Sequence, residues 1–317
     1  MLTAIQLTRV SMAFGAVADL WLVVLITREA PEYAYLPAAR LPFAGVLLVG
    51  AAVAMGLFAF GAALNDLLDA RHDRAFSPQR PIPAGRVRSG QAAVVTLGAL
   101  LVAMVAASAF GTAGILLTAL VAAGILFYDA VGKHLPAMGL LVIGLAHGVH
   151  MLIPNHELTF TLPVWLAATH AVAVATALHL LEDKRPALTP RAIAGLTLGW
   201  LAWSILLLGR GWWQAGEGGF WPASLSAGGL VWPLLAVAAF VWLVRRKTKG
   251  LPAASAAEKL RRYGSLWTCL YAVAWLLALG QVRAALGFAA FGACGIAAMI
   301  AIRELTALAN RPVAYRR

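Results

Sequence analysis

Three of the chain's 13 acidic residues fall together in Asn65-Asp66-Leu67-Leu68-Asp69-Ala70-Arg71-His72-Asp73. On a helix turning about 100° per residue, Asn65, Asp66, Asp69 and Asp73 share one arc about 100° wide. Four oxygen-bearing side chains are then expected to face one point, and their mutual repulsion calls for a cation in front of them. Oxygen donors favour Mg²⁺ over zinc or copper. Magnesium held by a few carboxylates usually completes its shell with water and phosphate, so the implied substrate is a phosphate or diphosphate. Three prolines, Pro78, Pro81 and Pro83, stiffen the segment that follows, where Arg80 and Arg86 can place guanidinium forks on phosphate oxygens.

The pattern N-D-x-x-D-x-x-x-D followed by R-P-I-P-x-G-R resembles the first aspartate-rich motif of the UbiA superfamily of intramembrane prenyltransferases. The resemblance implies a prenyl diphosphate held through Mg²⁺ by Asn65, Asp66, Asp69 and Asp73, its ionisation to an allylic cation, and capture of that cation by an acceptor. Phe127-Tyr128-Asp129-Ala130-Val131-Gly132-Lys133-His134 is similar to the family's Tyr-x-x-x-x-Lys element, in the wording of a less characterised bacterial branch. Lys133 would then act as a point charge on the departing diphosphate, while Tyr128 orients a carboxylate or shields the cation with its ring. Most members carry a second motif, D-x-x-x-D. Here the matching stretch is His179-Leu180-Leu181-Glu182-Asp183-Lys184, so Asp183 stands for the second aspartate as an expected metal ligand. His179 takes the place of the first and is expected to contact substrate or tune the site. Glu182 is an extra carboxylate, about 100° from their shared face if the helix continues.

The same branch has an early arginine and an aspartate ten residues later in its first helix, as Arg9 and Asp19 stand here, and an Arg and an Asn where this chain has His147 and His150. Asp19 falls near mid-span and needs a partner in the bundle interior, as substrate contact or as structural pairing. Two histidines at i, i+3 suggest a metal, but no third ligand follows at zinc spacing. A core histidine with a backbone partner or a pocket role is expected for each.

The elements that must position these residues are membrane helices. Of 317 residues 62% are hydrophobic and only 12% charged, about half the charged share of a soluble domain. Runs of about 20 apolar residues cross a bilayer core. Ten are expected, at 5–27, 42–67, 90–110, 112–130, 135–154, 160–182, 190–209, 228–244, 264–281 and 284–304, against nine in the family core. The implied fold is an all-α, polytopic transmembrane helical bundle of nine to ten spans forming one domain over 1–317, with the amino-terminal run kept as its first helix. Residues 211–227 read as an interfacial aromatic loop, and basic 245–262 as a contact with an anionic lipid surface. Cys269 and Cys294, lying singly in apolar runs, read as small buried hydrophobes. On this topology 21 of the 25 Lys and Arg residues fall on the face of the aspartate motif and four on the other. That asymmetry makes the motif face cytoplasmic, and it accounts for the net charge of +12 without a nucleic-acid partner. The acidic segment after the second run has a shorter counterpart after the sixth.

The expected function is Mg²⁺-dependent transfer of a prenyl group from a polyprenyl diphosphate to an unidentified acceptor within the lipid bilayer. CDP-alcohol phosphatidyltransferases also cluster aspartates at a membrane surface, but their glycine after the first Asp pair is absent here. Two alternatives stand beside transfer: a terpene-cyclase-like enzyme of the same fold, which needs no external acceptor, and a non-catalytic scaffold or transporter.

Overall fold

The computed structural model describes residues 13–216 and 219–310, with the backbone alone at 227 and 302–310. Expectations that rest on Arg9, Arg311, Arg316 and Arg317 lie outside them. Among the described residues there is no strand, and ten helices of 16 to 29 residues stand close to the ten expected places. They are α1 (Phe14–Glu29), α2 (Phe43–Leu68), then, after a short helix α3 (Ala70–Phe76), α4 (Ser89–Ala107), α5 (Gly111–Ala130), α6 (Pro136–Met151), α7 (Leu162–Leu181), α8 (Pro190–Ala215), α9 (Val231–Thr248), α10 (Ala253–Ala278) and α11 (Val282–Asn310). Six described stretches are long and apolar enough to cross a membrane by length and composition. One of these, residues 89–130, holds both α4 and α5, and it turns at Gly111, whose φ of 80° a side chain would resist. The chain is an integral, multi-pass membrane protein.

Helix α1 is buried along most of its length against α2, α6, α10 and α11. It shows no polar face, because a helix enclosed by others on every side has none turned to water. Leu48, Val94, Leu101, Leu206 and Leu234, on outer helices, are 63% to 72% exposed. In a bilayer this leucine and valine belt faces acyl chains. Small residues let the helices approach closely. At Gly56 an added Cβ would stand 2.9 Å from the Ala103 Cβ, which ties α2 to α4. A Cβ on Gly139 would overlap the Gly132 carbonyl, so the start of α6 sits directly on the turn that carries Lys133.

Two expected boundaries are corrected. Residues 211–227 are not simply a loop, because α8 continues through Ala215 and leaves Trp212 and Trp213 exposed on its last turn while Phe220 is buried. Likewise 245–262 is the end of α9 and the first turns of α10, joined around Gly250, whose φ is 74°. Helix α10 starts early because Pro252 takes its N-cap position and Ala256, Ala257 and Leu260 give the basic stretch a buried face. Cys269 is buried as expected, but Cys294 is exposed on α11.

Candidate active site

The ends of α2, α5 and α7, short helix α3 and the first turns of α10 surround a polar cavity of about 1160 Å³. Asn65, Asp69 and Asp73 line it from one side, Tyr128, Asp129 and Lys133 from the next, and His179, Glu182, Lys184 and Arg261 from across. The two acidic segments, after α2 and after α7, thus face each other.

Cations already sit among the carboxylates. Lys133 Nζ donates to both oxygens of Asp69 at 2.9 and 3.0 Å and pairs with Asp129 at 3.2 Å, one helical turn before it. Asn65 Nδ2 donates to the other face of this cluster, reaching Asp129 Oδ1 at 2.9 Å. Arg80 binds Asp73 at 2.8 Å and reaches Asp66 at 3.5 Å. The picture of four oxygens facing one point is therefore corrected. Asp66, only 2% exposed, lies behind the wall rather than in it, and each remaining acid is shared with a Lys or Arg. Among the described residues no three His, Cys, Asp or Glu side chains converge to hold a metal ion by themselves. Asn65, Asp69, Asp73 and Asp129 nonetheless form an oxygen-only donor set at the cavity wall. Such a set fits Mg²⁺, which takes one or two carboxylates and completes its shell from phosphate and water. Of the two loop arginines only Arg80 lines the cavity, while Arg86 is exposed and donates to the Gln79 carbonyl.

No protein-family model matches the chain, and no curated protein sequence does. Among solved structures it is similar to one from a study of digeranylgeranylglyceryl phosphate synthase in membranes, at 16% identity and a TM-score of 0.54 over 89% of this chain and 98% of the other. The fold is UbiA-like. Two further likenesses are a UbiA homologue from Archaeoglobus fulgidus bound to Cd²⁺ (13% identity, TM-score 0.46, 95% and 98% coverage) and the apo form of one from Aeropyrum pernix K1 (19%, 0.42, 93% and 97%).

In this UbiA-like bundle the second acidic element is built differently from its expected form. Helix α7 stops at Leu181, and Lys184 N–H closes on the His179 carbonyl at 3.0 Å while Asp183 N–H reaches Leu180 O at 3.3 Å. This is a Schellman close, with Asp183 at its left-handed position, φ 44°. The helix face that Asp183 was expected to share with His179 is thereby lost. Its side chain is 81% exposed, pairs with Arg185 at 3.3 Å and does not line the cavity. Glu182 does, paired with Lys184 at 3.0 Å and with Arg261. Burial pushes the Glu182 carboxyl up, but Lys184 and Arg261 outweigh it and hold the group below the usual glutamate range. That stabilisation is present above the ordinary glutamate pKa and fades as pH falls through the lowered value. His179 lines the cavity, with Nε2 within 3.0 Å of the Pro186 carbonyl. Asp183→Asn is expected to leave release of diphosphate from a prenyl diphosphate unchanged, whereas Glu182→Gln, which loosens Lys184 and Arg261, lowers it; a release assay on both variants gives the answer, and the reverse order would return Asp183 to the site.

Sequence reasoning missed Asp129, Glu182 and Arg261 as site residues. The Asp129–Lys133 pair was available from its i, i+4 spacing within the Tyr128 element. Arg261 carries no such signal, since 79 residues separate it from Glu182.

Beneath the polar cavity lies an apolar one of about 210 Å³, walled by α1, α2, α5 and α6, and Tyr128 lines both. His147 and His150 lie at its inner end. His147 follows Pro136 by 11 residues along α6, about 16 Å at 1.5 Å per residue. Asp19 finds its partner here, Oδ2 lying 2.7 Å from His147 Nε2. A carboxylate at a span centre costs at least ~2.5 kcal/mol, and the histidine offsets part of that.

Proposed function

We propose that the chain is a UbiA-type prenyltransferase that moves a prenyl group from a prenyl diphosphate to an acceptor within the membrane. The observation that supports it is the stacking of the two cavities, a charged one at the membrane surface directly above an apolar one, with Tyr128 in the wall of both. A diphosphate head fits the first, and the isoprene unit that carries the allylic carbon fits the second beside Tyr128. Lys133 and Arg80 meet the diphosphate oxygens as fixed charges, and they act where negative charge grows as the C–O bond breaks. Mg²⁺ held by Asn65, Asp69, Asp73 and Asp129 would supply Lewis-acid stabilisation of that leaving group. The Tyr128 ring, at the junction, stands where the allylic carbon would carry its positive charge and can face it. Glu182 and Asp69 keep Arg261, Lys184 and Lys133 in place until phosphate oxygens replace them. The excess of Lys and Arg on this face supports a cytoplasmic site.

The test is release of diphosphate from farnesyl diphosphate by the full chain in lipid nanodiscs, with and without Mg²⁺. Divalent-dependent release is expected. No release with any prenyl chain length would leave a scaffold or transporter, and a product with the mass of the donor hydrocarbon less one proton would mean cyclisation instead of transfer.

A further inference from the structure

The inner end of the apolar cavity holds a polar cluster that diphosphate binding does not use. Asp19, 2% exposed, pairs there with His147. With Asp19 ionised the carboxylate only accepts, and the proton of a neutral His147 then stands on Nε2 with the lone pair on Nδ1. His147 lines the cavity, and so does His150, whose ring centre lies 6.3 Å away. His150 is 6% exposed, and its buried Nε2 has no hydrogen-bond partner among the described residues. Buried polar atoms are rarely left this way, and an orphan beside a ligand-sized cavity points to a ligand with a polar group. Apart from Tyr128, the remaining walls, including Leu57, Val121 and Ile143, are apolar and carry no cation to meet an anionic acceptor.

We propose that His147, oriented by Asp19, is the base that takes the proton from a hydroxyl-bearing acceptor, and that His150 Nε2 hydrogen-bonds to the same oxygen. The proposal rests on the transfer reading and names its acceptor class, a neutral alcohol or phenol. Transfer to a hydroxyl must shed one proton. The acceptor O–H bond breaks and its proton goes to His147 Nδ1. The oxygen lone pair forms the new C–O bond to the allylic carbon, and the electron pair of the old C–O bond leaves with the diphosphate. Asp19 then neutralises the imidazolium across its hydrogen bond, the role a carboxylate plays behind a histidine base. A hydrocarbon acceptor would give His150 nothing to bind, and a carboxylate acceptor would need no base.

The probe is 2-naphthol, a hydroxyl compound of suitable size that gives up its proton to an adjacent base when excited and then emits as naphtholate. With the full chain in nanodiscs, naphtholate emission from the bound probe is expected, displaceable by excess cyclohexanol, a neutral hydroxyl compound that competes for the same site. Asp19→Asn keeps the shape but lets the amide donate to Nε2, which moves the ring proton to Nδ1. Emission should therefore switch to the neutral naphthol form while the probe stays bound, and Asp19→Glu should restore it. His147→Phe should lose the naphtholate signal as well. His150→Phe should abolish the preference for 2-naphthol over 2-methylnaphthalene. Naphtholate emission that survives both Asp19→Asn and His147→Phe, or that is absent from the unaltered protein, overturns the proposal. Diphosphate release from farnesyl diphosphate, measured on the same samples without the probe, reports separately on the transfer reading.

Discussion

Asp69→Ala is expected to lower Mg²⁺-dependent diphosphate release by about 10²–10³-fold, the usual effect of removing one preorganised group that stabilises charge in the transition state. The protein should remain folded, because Lys133 keeps Asp129 at 3.2 Å and Asn65 keeps its own bond to Asp129. The exposed position of Asp69, its side chain 29% accessible against 5% for Asp129, makes it the carboxylate a ligand can reach first. Turnover and thermal stability measured on the same preparation separate the two effects. Unchanged release in the alanine variant would remove Asp69 from the site, and a collapse of stability would make it structural.

Arg80→Met has the opposite signature, a loss of stability before any loss of chemistry can be read. Arg80 is the cation that meets the Asp73 carboxylate, whose side chain is 4% exposed. Removing one member of a buried pair costs ~3–5 kcal/mol because the other charge is left desolvated. The third of the Arg80 side chain that remains in solvent places the expected loss at the low end of that range. Adding Asp73→Asn to Arg80→Met removes the nearer of the two carboxylates that Arg80 meets and should recover part of the stability while activity stays lost. Equal denaturation midpoints for the unaltered protein and Arg80→Met, in detergent at matched concentration, would show that the pair carries no weight in the fold.

Much of this protein was determined by local sequence alone. Apolar runs interrupted by Gly111, Pro252 and the charged turns gave helices near all ten expected places, since a backbone in lipid must satisfy its hydrogen bonds within the segment. The aspartate motif lay at the end of α2 and the Tyr128–Lys133 element at the end of α5, and both reached one cavity. Tertiary structure decided which side chains face it. Asp66 turned inward, because three acids and an asparagine on one helical stripe meet different neighbours: Arg80 from a later loop took Asp73, and Lys133 from another helix took Asp69. At the second acidic element a single left-handed residue, Asp183, reversed the expectation, since α7 stops two residues before it, which turned Asp183 to solvent and Glu182 to the cavity. Arg261 and the Asp19–His147 pair join segments 79 and 128 residues apart. No spacing rule reaches that far, because helical periodicity fixes the face a residue occupies, and only the packing of one helix on another fixes what stands opposite it.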